Sequence, residues 1–169
     1  MAALYAKEKL VKTVALIIFF FAVNALAATD DANVFSYSTT TCHGTCPAYN
    51  VKVFSDGVIV FNGEAYTRLD GIYRLPDNKE LFQSIIKLLD QSNFYEFNER
   101  YGWAGEGEVN VCEQLVTDNP NTILAMQYAN RKKTIYHYHG CIGFKGEAEL
   151  IALEKALFEI IGLQDYVGT

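Results

Sequence analysis

The sequence predicts an α+β fold, an antiparallel sheet built from hairpins with two helices packed on one face. Three observations carry this. Tyr49, Val51 and Val53 alternate with Asn50 and Lys52, Val58 and Val60 alternate with Ile59 and Phe61, and Ser55-Asp56-Gly57 lies between them. That is the pattern of two strands joined by a tight turn. Segments beginning near Asp77 and near Gly146 carry apolar residues at helical spacing. The order is strands, helix, strands, helix, without the strand-helix-strand rhythm of a parallel sheet.

The chain opens with Lys7, Lys9 and Lys12, an apolar run from Thr13 to Val23, and Ala25-Leu26-Ala27. Together these read as a signal peptide, residues 1–27, cut after Ala27. The run falls short of the roughly 20 apolar residues a spanning helix needs, so no stable membrane insertion is expected after cleavage. Residues 28–169 then form a single α+β domain, long enough to build its own core.

Val34 to Ser38 alternates as a first strand. Pro47 fixes its own φ and pushes Cys46 toward extended backbone, so the chain leaves the Cys42 to Cys46 turn aimed along the hairpin. Gly71 to Leu75 adds a short strand before Pro76. Asp77-Asn78-Lys79-Glu80 has the spacing of a capping box. In the helix that follows, Leu81, Ile85, Leu88 and Leu89 share one face, Phe82 and Ile86 widen it, and the end falls near Gln91. Tyr101 to Glu108 is glycine-rich and acidic and reads as a mobile surface loop.

Val109 to Val116 is expected as a strand carrying Cys112, and Thr117-Asp118-Asn119-Pro120 as a turn. Two strands follow, Thr122 to Ala129 and Lys133 to His139, joined at Asn130-Arg131. The last helix starts near Gly146, with Leu150, Leu153, Leu157 and Ile160 in phase and Gly162 placed to stop it.

The formal charge is −6. The leader holds three lysines against Glu8, which makes residues 28–169 more acidic still, at −8. Such a balance favours solubility and argues against nucleic acid or anionic lipid as a partner.

All four cysteines, Cys42, Cys46, Cys112 and Cys141, follow the leader. In an oxidising compartment an even count reads as a disulfide framework. Four cysteines allow three connectivities; Cys42 with Cys46 and Cys112 with Cys141 is preferred, because a tight turn already holds the first two close.

The same residues offer a second chemistry. His137, His139 and Cys141 would point to one side of a strand. With Cys42, His43 and Cys46 beside them, copper or zinc could be held. Against this stands a purely structural role, since an oxidising compartment pairs thiols before a metal arrives. Glu96, Glu99, Glu106 and Glu108 cluster near Trp103, which admits a weaker reading as a two-carboxylate hydrolase. No G-x-S-x-G, P-loop or H-E-x-x-H motif occurs. The function expected from the residues is a periplasmic or secreted binding module stabilised by disulfides, and not an enzyme. Its partner would be an envelope protein or small ligand, and it would need no cofactor unless copper or zinc is bound.

Cys42-x-Gly44-x-Cys46-Pro47-x-Tyr49, Asp56-Gly57, Phe61-x-Gly63, Thr117-Asp118-x-Pro120 and His139-Gly140-Cys141 together resemble a family of bacterial secreted proteins known only as a domain of unknown function. The likeness runs from about Val34 to Cys141. It implies an exported α+β domain and supplies no substrate and no catalytic residue.

Overall fold

The computed structural model describes residues 33–103 and 111–168. Its strands are β1 (Val34–Thr39), β2 (Ala48–Phe54), β3 (Ile59–Ala65), β4 (Gly71–Leu75), β5 (Arg100–Tyr101), β6 (Gln114–Leu115), β7 (Asn121–Tyr128), β8 (Arg131–Tyr138) and β9 (Cys141–Ile142). Its helices are α1 (Leu81–Gln91), α2 (Glu147–Ile161) and the short α3 (Gln164–Val167), with a 3-10 turn at Phe94–Glu96. The fold is α+β and mostly antiparallel. Seven strands make one sheet in the order β4-β3-β2-β1-β7-β8-β5, and β6 pairs with β9 in a separate ribbon. The predicted leader lies outside the described residues. No described helix is long and apolar enough to cross a membrane.

Alternate residues build the core. Cross-strand partners Phe35, Val53 and Ile59, and Tyr37, Val51 and Phe61, form successive rungs of one face. Leu124 and Ile135 extend the second rung across β7 and β8. All of these are buried. They join Phe82, Ile85 and Leu89 of α1 and Leu150, Leu153 and Leu157 of α2 in one apolar cluster. Each such side chain stabilises the fold by about 2 kcal/mol when taken from water. Residues in between, such as Ser36, Lys52 and Ala125, face away from this cluster.

The helix ends follow local chemistry. Gly162 closes α2 in the left-handed region, with φ 76°, where a side chain is costly and glycine is not. α1 is capped differently from the expected box. Asn78 Oδ1 accepts from the amides of Glu80 and Leu81, at 3.1 and 3.2 Å, while Asp77 forms an ion pair with Arg74 instead. Either residue can accept an amide, and the neighbouring arginine draws the carboxylate away.

Three further expectations change. Ile160 is exposed and Ile161 buried, because the step from Leu157 that stays on the inner face is four residues. The last hairpin turns at Ala129-Asn130, both at positive φ, since Tyr128 pairs with Arg131. Tyr101, expected in a loop, is buried and lies in β5, which runs parallel to β8. A two-residue strand has no periodicity to read. Of the strand expected over 109–116, Gln114–Leu115 pairs with β9, and residues 104–110 lie outside the described residues.

Both cysteine pairs are bonded, Cys42 to Cys46 and Cys112 to Cys141, with Cα separations of 5.5 and 5.2 Å. The second ties β9 to the segment that leads into β6.

Candidate functional site

One rung of the sheet breaks the apolar pattern. Tyr49 of β2 faces Thr39 of β1, Thr39 faces Thr122 of β7, Thr122 faces His137 of β8, and His137 faces Tyr101 of β5. Cross-strand partners share a face, so five polar side chains stand in a row at the edge of the core. His139 follows two residues after His137 and returns to the same side; their rings are 4.6 Å apart.

Helix α2 supplies the counter-charge. Its inner face reads Leu150, Leu153, Glu154, Leu157 and Ile161, so Glu154 occupies a position the helical period assigns to the core. The residue is 4% exposed. Its Oε1 lies 2.8 Å from His137 Nδ1, and its Oε2 lies 3.9 Å from His139 Nε2. His137 is itself 2% exposed, whereas the His139 side chain is 37% exposed. The site therefore has a closed half and an open half.

Hydroxyl groups complete it. His139 Nε2 is hydrogen-bonded to Thr122 Oγ1 at 2.7 Å. The Tyr37 hydroxyl interacts with Thr122 and Tyr49, and that of Tyr49 with Thr39. Thr39 in turn donates to the Pro47 carbonyl at 2.7 Å. Burial pushes Tyr37 and Tyr49 well above the ordinary tyrosine range, Glu154 adding to the effect at Tyr37 and Tyr37 to that at Tyr49. Both stay neutral donors. Burial also lowers the pKa of His139; Glu154 opposes this and His137 adds to it. Among the described residues no buried side-chain nitrogen or oxygen lacks a partner.

Two imidazoles and a carboxylate can ligate a divalent ion. One ligand atom from each of His137, His139 and Glu154 lies within 4.8 Å of the other two. A tetrahedral zinc with bonds of about 2.0 Å separates its ligands by about 3.3 Å, so small side-chain movements close the set. Of the residues expected from sequence, the structure brings His137 and His139 together. Cys42 and Cys46 are bonded to each other, and His43 is exposed, its amide donating to the Asp118 carbonyl. The described ligand cluster contains none of these three and includes Glu154 instead. Cys141 is consumed in its own disulfide. Glu96 and Glu99 are exposed, Trp103 is 60% exposed, and Glu106 and Glu108 lie outside the described residues.

Sequence reasoning missed Glu154, Thr122, Tyr37 and Tyr101. For Glu154 a signal existed, a carboxylate inside the apolar stripe of a helix. The others are placed by strand register, which a single strand does not declare.

No curated protein matches the chain. The model of the family described as Domain of unknown function (DUF6438) matches residues 33–161, most of the sequence, and the chain belongs to that family.

Proposed function

We propose that the chain is an exported, non-enzymatic binding module whose ligand is a divalent zinc or copper ion, held by His137, His139 and Glu154 where the two longer helices cover one face of the sheet. The observation that carries this is the convergence of two imidazoles and one buried carboxylate within 4.8 Å. With both cysteine pairs oxidised, the donors are nitrogen and oxygen. Such a set suits Zn(II) or Cu(II) and disfavours Cu(I), which seeks sulfur. Export is supported by the leader pattern and by disulfides, which persist in oxidising compartments.

Calorimetric titration of the purified chain with zinc and with copper(II) tests the proposal. His139→Ala and Glu154→Gln should each weaken binding by roughly tenfold to a hundredfold or more, at least the loss seen for groups one shell further out. Glutamine is preferred to alanine at position 154 because leaving the buried His137 ring nitrogen without a hydrogen-bond partner costs about 1–3 kcal/mol. Affinity unchanged by both substitutions would contradict the site.

A further inference from the structure

We infer that Thr122 is a latch on this site: its hydroxyl engages His139 Nε2 and must release it before an ion can be held by all three groups. The inference rests on the metal-binding proposal and adds a control to it.

One nitrogen of His139 stands between two partners. His139 Nε2 is 3.9 Å from Glu154 Oε2 and 2.7 Å from Thr122 Oγ1. A ring nitrogen carries either one lone pair or one proton, so Nε2 serves the hydroxyl or the ion and not both. In the other half His137 Nδ1 and Glu154 Oε1 are hydrogen-bonded to each other at 2.8 Å, which leaves the imidazole its Nε2 and the carboxylate its Oε2 for an ion.

Which partner moves follows from burial. Thr122 is 2% exposed, sits within the β7 register between Thr39 and His137, and meets Tyr37 through its hydroxyl. It is fixed from three sides. His139 lies just past the end of β8, with its amide bonded to the Pro120 carbonyl and its ring partly in solvent. An ion reaching the site from the open side would draw the His139 ring from Thr122 toward Glu154, closing the 3.9 Å gap to about 3.3 Å. Thr122 thus holds the metal-free arrangement and weakens binding by the strength of one hydrogen bond.

The test is zinc titration of the full chain against a competing chelator, for wild type, Thr122→Val and Thr122→Ser. Valine keeps the shape and removes the hydroxyl, so affinity should rise about five- to tenfold, the worth of one net hydrogen bond. Serine keeps the hydroxyl and should stay within about twofold of wild type on the same ground. A merely structural role would lower affinity in the valine variant. Valine binding equal to or weaker than wild type overturns the latch. Should that variant not fold, NMR of the zinc-saturated wild-type chain decides: a lost contact between the Thr122 methyl and the His139 ring supports the latch, and a retained one overturns it. Binding insensitive to Glu154→Gln removes the metal site and the latch together. Binding sensitive to Glu154→Gln but not raised by Thr122→Val removes the latch alone.

Discussion

Glu154 and His139 show how differently two residues of one cluster are constrained. Glu154 is inside the core, where a carboxylate without a hydrogen-bonding partner is expensive, and His137 satisfies it. His139 is at the rim, with burial holding its pKa below the usual histidine value. A histidine whose folded pKa lies below its unfolded value of about 6.5 binds its proton more readily in the unfolded chain. Its contribution to stability is therefore complete above that value and declines as pH falls through the lowered pKa. Thermal melts of the metal-free chain between pH 7.5 and 5.5 should show a falling midpoint, with a shallower slope in His139→Gln; parallel slopes would remove this role. The two histidines were legible in the sequence as a same-side pair. Glu154 was legible too, as a carboxylate on the apolar stripe that Leu150, Leu153 and Leu157 mark, but a pattern of histidines and cysteines does not include it. Gly140 is explained only in three dimensions, since a β-carbon there would run into the Val116 carbonyl and the Tyr138 ring.

Among the elements, those with long periodic patterns were readable and those with two residues were not. The hairpin of β2 and β3, the strand β4 and both long helices follow from alternation, helical spacing and Gly162 at the end of α2. β5, β6 and β9 depend on partners distant in sequence: His137 for Tyr101, and the Cys112–Cys141 bond beside the β6–β9 ribbon. That disulfide joins cysteines 29 residues apart, and closing a loop of that length stabilises by about 3.5 kcal/mol on the chain-entropy estimate. Replacing both Cys112 and Cys141 with serine should lower stability by about 2–4 kcal/mol. Hydrogen exchange should accelerate in β6 and β9 while the β2–β3 hairpin keeps its protection. Equal loss of protection in that hairpin would show that the bond supports the whole sheet and not one corner of it.

At the scale of the molecule, the sheet's inner face is apolar through rungs anchored by Phe35 and Tyr37 and becomes polar at the rung of Thr39, Thr122 and His137. Helix α2 crosses that boundary and delivers one carboxylate where the polar rung begins. The apolar rungs and two disulfides hold the fold around a polar cluster whose buried members, His137 and Glu154, must stay paired. Its acidic charge of −6 also attracts cations over the whole surface. Such diffuse attraction does not fix which donors hold an ion, so the donor set itself is what must be measured. Zinc-edge X-ray absorption on the zinc-loaded chain reads it directly. The site built from His137, His139 and Glu154 predicts a shell of nitrogen and oxygen at about 2.0–2.2 Å with imidazole scattering, reduced in His139→Ala. Sulfur at about 2.3 Å would contradict it, because thiolates would then be holding the ion, and so would a chain that keeps no zinc through desalting.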